Sequence, residues 1–377
     1  MSQYAKRISG TLLALVFLAM AGGVALAQNN SSTGVLSGPV HVFILGGQSN
    51  MIGLGHIRPP SNPKTLEYAV QKKHLYPFLT DKSGAWAVFP TIRFVQVISG
   101  RGAGLSKAHW DAYWHTHSLT DRMPKNMMNT LYNQWMTVKG HRFIGPEFGI
   151  AHELAKVVRG PILLLKSCNG NRSIGWDLLP PGSQNEFYTD KQGRVWEYAA
   201  YGQSPNRWIK GATPKPIGWY AGKEYDMDVT FAKYVLANLE NYYPGAKSYR
   251  IAGFFFWQGD KDRYDPGYAA HYEKNLEAYI EAVRKDFGVP KSPFVLATLG
   301  QDVKGRTRGN DGLILKAQLA IANALKHPEF TGNVATVYTH PLSLGGASNG
   351  HYNGNAQTYM NVGLAMGKAM DKLLEHK

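Results

Sequence analysis

Five short apolar runs punctuate the chain, at residues 40–45, 161–166, 251–257, 294–299 and 334–339, most of them bounded by Gly, Pro, Asn or Ser. Runs of this length that are apolar almost throughout, rather than alternating with polar residues, match strands buried on both faces. Between and after them, apolar positions recur at helical spacing over 147–158, 229–239, 268–287, 313–325 and 356–374. The alternation predicts a three-layer α/β/α fold, a parallel sheet with helices on both faces. Reactive groups then belong in the loops that follow the strand C-termini.

Two stretches break the rhythm and read as loop-rich insertions, at about 54–142 and 176–226. The first is crowded with aromatics and histidines, and the second holds Trp176, Trp196, Tyr198, Tyr201, Trp208, Trp219 and Tyr220 among Gly and Pro. Such rings suit either stacking on the apolar faces of sugars or a small core of the insertion's own. At the start, Lys6 and Arg7 precede an apolar stretch at 12–21, and Ala25-Leu26-Ala27 supplies small residues at a cleavage site. Residues 1–27 therefore read as a signal peptide and 28–38 as a flexible leader, and the domain of 39–377 is expected to be exported, periplasmic or secreted. The apolar stretch is shorter than the ~20 residues a membrane span needs.

Composition narrows the partners. Cys168 is the only cysteine of 377 residues, so no intramolecular disulfide forms and stability must come from the core. The formal net charge of +15 fits either an anionic polymer as partner or a part in solubility or membrane-surface proximity, while the scatter of the basic residues argues against nucleic acid.

The chemistry gathers after the apolar runs. The first ends in Gly46-Gly47-Gln48-Ser49-Asn50-Met51, a serine in a glycine turn whose spacing differs from the G-x-S-x-G elbow. The second leads to Ser167-Cys168-Asn169-Gly170-Asn171-Arg172, the third to Trp257-Gln258-Gly259-Asp260-Lys261-Asp262, and the last to Asn349-Gly350-His351-Tyr352. These four blocks resemble, in order, those of the sialate O-acetylesterase-like carbohydrate esterases, a branch of the SGNH/GDSL hydrolases, over about residue 40 to the C-terminus. The resemblance implies a five-stranded parallel sheet of flavodoxin-like order and a serine ester hydrolase acting on acetylated carbohydrate, with no cofactor and no metal. It implies Ser49 as nucleophile and His351 as general base, with an oxyanion hole from Ser49, Gly170 and Gln258. Gln48, Asn50, Asn171, Arg172 and Trp257 would then meet substrate.

The chain departs from the pattern in three places. Asn171 and Arg172 stand where relatives often have Gly and Thr, and Asp260 replaces the usual Glu. Ser348 occupies the position three residues before the histidine where an Asp is common, and no Asp or Glu occurs from 330 to 370. The imidazole then relies on a backbone carbonyl, or on a displaced carboxylate from Asp260, Asp262 or Asp302, or activity is lost. Asp260 leads these because it lies two residues past Gln258, and His340 is the rival base. Alternatives to the general reading are a sialic-acid-specific esterase, a non-catalytic glycan-binding relative, and a metal hydrolase built on His109, Asp111, His115 and His117.

Overall fold

The computed structural model describes residues 38–305 and 308–375, so the signal peptide and nearly all of the leader expected from the sequence lie outside the described residues. All five expected strands form: β1 (Val40–Gly47), β4 (Ile162–Ser167), β5 (Tyr249–Trp257), β6 (Phe294–Ala297) and β7 (Val334–Val337). The sheet nevertheless has seven strands rather than five, because the 54–142 stretch adds β2 (Phe89–Ser99) and β3 (Met128–Met136). The order across the sheet is β7-β6-β5-β1-β4-β2-β3, parallel throughout except for β3 at the edge. Thus that stretch is not merely loop. Ile92 to Val97 are six consecutive buried residues, the pattern of an interior strand, and β3 is a half-exposed antiparallel edge.

Alternation along each strand sends side chains to two separate cores. Val40, Val42 and Ile44 of β1 face one side, with Phe254 and Phe256 of β5, and meet helices α2 (Lys223–Ala237), α3 (Tyr272–Asp286) and α4 (Gly309–Ala320). Phe43, Leu45 and Phe255 face the other, against α1 (Glu147–Val157) and α5 (Ala356–Glu375). The result is the expected three layers. The 176–226 stretch builds a small antiparallel sheet of Glu186–Thr189, Val195–Tyr198 and Arg207–Ile209. Trp176 and Tyr198 pack there with Tyr268 in a core of its own. No helix among the described residues is long and apolar enough to cross a membrane.

One buried ion pair joins the layers beneath the loop after β1. Lys166, at the end of β4, donates to Glu147 Oε2 at 2.7 Å and to the Ile52 carbonyl at 3.0 Å, while Glu147 Oε1 accepts the Gly145 N–H at 2.9 Å. Both charged side chains are almost wholly out of water. Removing one partner strands a buried charge, which costs far more than removing both. Lys166→Met should therefore lower unfolding free energy in urea titrations by about 3–5 kcal/mol. The double variant Lys166→Met/Glu147→Leu should regain most of that loss.

Candidate active site

The two glycines that close β1 let it press against β5. Gly47 has φ of 138°, and a β-carbon there would lie 2.4 Å from the Trp257 carbonyl oxygen, so only glycine fits. Gln48 then donates its N–H to that same carbonyl, and a single helical turn begins at Ser49. No side chain caps this turn, as expected where the first amides of a helix are left for another acceptor. Ser49 is half-buried, and its Oγ lies 3.0 Å from Nε2 of His351.

His351 reaches it from an unusual loop. His351, Tyr352 and Asn353 have φ of 50°, 53° and 50°, three successive left-handed residues without a glycine. Each such residue costs about 1–3 kcal/mol unless its surroundings hold it. Here they do: the Tyr352 ring is fully buried, stacks on Trp257 with centroids 5.9 Å apart, and its hydroxyl donates to the Leu299 carbonyl. Trp257 is fixed in turn by a 3.0 Å bond from Nε1 to the Thr298 carbonyl. His351 therefore stands on the ends of β5 and β6.

Gly170 comes next to Ser49. A β-carbon on it would sit 3.8 Å from that of Ser49, and its N–H is held by Oδ1 of Asn169 at 2.8 Å. Asn171 follows with φ of 57°, a conformation that asparagine tolerates better than most residues, which explains how it can stand where relatives often have glycine. Asn171 is exposed at the rim. Arg172 is anchored away from solvent: its Nε donates to buried Glu224 and its guanidinium lies 4.7 Å over Trp219.

Several residues expected to meet substrate or transition state are buried in this structure. Gln258 is wholly buried, and three acceptors surround its amide nitrogen: Asp262, the Arg172 carbonyl at 2.8 Å and Gln48 Oε1 at 3.2 Å. An amide has two protons, so none is left for an oxyanion in this conformation. Gln48 Oε1 also accepts the Lys261 N–H at 3.2 Å. Gln48, Asn50 and Trp257 have 2%, 0% and 0% of their surface exposed, too little to touch a sugar.

The three candidate acids separate in space. Asp262 accepts the N–H groups of Ile174 and Gly175 at 3.0 and 2.9 Å, tying the loop after β5 to the loop after β4. Asp302 lies among Asp311, Arg263 and His340. Asp260 is near enough to His351 to feel its charge, and accepts a hydrogen bond from Ser348 at 2.9 Å. His340 turns its Nδ1 to the Gly300 carbonyl at 2.8 Å, away from Ser49. Gln301 gave no signal in sequence, being one polar residue after a strand, and Ser348 read only as a missing acid. Among the described residues, the group spaced to hold a metal ion is Glu277, His327 and Glu329, not the histidines of helix Lys107–Thr116. Both ring nitrogens of His327 already lie 3.0 Å from carboxylates, those of Glu273 and Glu329, an arrangement that fits an ion-paired imidazolium.

A serine hydrogen-bonded to a histidine, at the C-terminal lip of a parallel sheet, is the constellation of acyl transfer. The family model for carbohydrate esterase, sialic acid-specific acetylesterase, matches residues 39–372. The chain belongs to this family. Membership makes it a carboxylic ester hydrolase. No curated protein sequence matches this esterase significantly. Among solved structures the esterase is similar to a protein from Arabidopsis thaliana, with 17% identity, TM-score 0.45, and 88% of this chain and 98% of that one covered. It is also similar to a carbohydrate acetylesterase from Xanthomonas citri, with 14% identity, TM-score 0.49, and coverage of 89% and 57%. A third such structure is NanS, with 14% identity, TM-score 0.38, and coverage of 81% and 79%.

Burial pushes the carboxyl of Asp262 up to about 7, against the pull of its three hydrogen bonds. A value above that of the unfolded chain means that its stabilising contribution is full below 3.8 and is lost as pH rises through about 7. The unfolding free energy of the esterase minus that of its Asp262→Asn variant should accordingly fall between about pH 4 and about pH 8. Urea titrations of both proteins across that range measure it; a flat difference would mean that the carboxyl titrates normally.

Proposed function

We propose that this esterase is exported and removes O-acetyl groups from carbohydrate through an acyl-enzyme on Ser49. The observation that carries the proposal is the 3.0 Å contact between Ser49 Oγ and His351 Nε2. His351 takes the proton as Oγ attacks the acetyl carbonyl, and the tetrahedral oxyanion turns toward the amides of Ser49 and Gly170. The developing charge is a stronger acceptor than the Asn169 amide oxygen that holds Gly170 in the free enzyme. His351 then returns the proton to the departing sugar oxygen. Water, deprotonated by the same imidazole, attacks the acetyl-serine, releasing acetate and restoring Ser49.

Asn171 and Arg172, beside Gly170, flank the sugar that bears the acetyl group. Gln258 contributes by holding Gln48 and the loop of Arg172, with Asp260 as the carboxylate that acts on His351. The net charge, +15 for the whole chain and +13 once Lys6 and Arg7 leave with residues 1–27 (15 − 2), supports an anionic acetylated glycan, sialic acid among the candidates. The basic start, the apolar stretch at 12–21 and Ala25-Leu26-Ala27 support export.

Acetate release across a panel of neutral and anionic acetylated glycans tests the activity. Ser49→Ala should lower the rate by several orders of magnitude, as loss of a nucleophile does in other enzymes; near-normal release by that variant would refute the mechanism. Export is checked by N-terminal sequencing of the secreted protein, which should begin at Gln28.

A further inference from the structure

Ser348 is buried, and its hydroxyl oxygen lies 2.9 Å from Oδ1 of Asp260 and 2.8 Å from Oε1 of Gln301. A hydroxyl has one proton and cannot donate to both oxygens. The Gln301 amide nitrogen, meanwhile, is buried without a partner among the described residues. Turning that amide over resolves the first difficulty and gives the nitrogen an acceptor, since oxygen and nitrogen of an amide occupy interchangeable places; the amide oxygen then takes the partnerless place. Gln301 then donates to Ser348, and Ser348 donates to Asp260. The three residues come from three segments: Asp260 follows β5, Gln301 follows β6, and Ser348 precedes the base.

We infer that Gln301 and Ser348 form a hydrogen-bond relay that fixes Asp260 against the loop of His351. This rests on the reading of His351 as the base. Ser348 is thus a positioning residue, acting on the imidazole through Asp260. It takes over from the position where the superfamily commonly has its acid: the carboxylate has moved to the neighbouring strand end, and a hydroxyl links it back to the base loop.

The surroundings of Asp260 make the relay necessary. Burial raises its carboxyl pKa, and the leading influence that lowers it again is the Ser348 hydrogen bond. Arg263 helps less, with Nη1 3.8 Å away, because its guanidinium is committed to Asp311 through bonds of 2.6 and 3.2 Å. The imidazole of His351 also favours the charged form, whereas Asp311 opposes it. The Tyr352 phenol, buried alongside, is neutral and donates a hydrogen bond to the Leu299 carbonyl. Without Ser348, Asp260 would hold its proton to higher pH and cease to support the imidazolium that forms as Ser49 attacks.

The full chain, assayed with p-nitrophenyl acetate over a range of pH, tests this. Ser348→Ala should lower kcat about tenfold on the acid side for each unit by which the carboxyl pKa rises, with KM nearly unchanged. The deficit should shrink as pH rises and Asp260 ionises. Ser348→Thr keeps the hydroxyl and should keep the profile, whereas Asp260→Asn should give a deficit that no longer depends on pH. Gln301→Ala should repeat the Ser348→Ala trend more weakly, and it supplies the test should Ser348→Ala fail to fold. A deficit equal at all pH values in Ser348→Ala and Gln301→Ala, or no deficit, would overturn the relay. In that case inactive Ser49→Ala and His351→Ala variants would still uphold the acyl-enzyme mechanism. Activity in Ser49→Ala would instead remove the mechanism, and the relay with it.

Discussion

Everything at the catalytic end depends on a buried amide, that of Gln258, which no water can reach. Parallel strands share hydrogen bonds along their length but leave their terminal loops independent, and this sheet has no disulfide to join them. Gln258 supplies the missing link. Its nitrogen faces Gln48 from the loop after β1, the Arg172 carbonyl from the loop after β4, and Asp262 from its own loop. Its side-chain oxygen accepts from Tyr272 of α3 at 2.8 Å, and Gln318 of α4 donates to its backbone carbonyl at 2.8 Å. Each of these bonds would strand a buried polar group if its loop moved away, so together they favour one arrangement of the loops.

That fixity permits strain nearby. The left-handed run His351–Asn353 and the lone left-handed Asn171 flank the nucleophile, and neither uses glycine. In the first, the cost is offset by burial of Tyr352 against Trp257; in the second, asparagine itself tolerates the conformation, between Gly170 and the anchored Arg172. In the proposed mechanism, a rigid His351 beside a rigid Ser49 needs little reorganisation when charge develops.

Much of this was legible in the sequence. The five strand cores of the parallel sheet announced themselves as apolar runs, and the helices between them by their period, with starts misplaced by up to six residues where polar first turns hide the boundary. β2 was missed although Ile92–Val97 is buried throughout, because Arg93 and Gln96 interrupt its apolar pattern. Arg93 is accommodated by donating to the Tyr242 carbonyl and by lying over Trp135, partners invisible before folding. Ser49 and His351 could be placed by their blocks, since glycine turns and strand ends leave few places for a reactive side chain. The partners of Gln258 and Gln48 could not, because a polar residue in a motif looks the same whether it faces substrate or scaffold. Ser348 illustrates the limit: its importance lies in two partners, 88 and 47 positions away.

The contact between Ser49 and His351 spans 302 positions, and one partner belongs to the first strand's loop while the other comes after the last. Closing so large a loop is among the slowest demands a chain can meet, since intervening strands must pair before the ends are brought together. Hydrolytic competence is consequently a property of the finished sheet and of no fragment of it. During refolding, secondary structure should return ahead of turnover, which makes ester cleavage an intrinsic clock for the closing step of assembly.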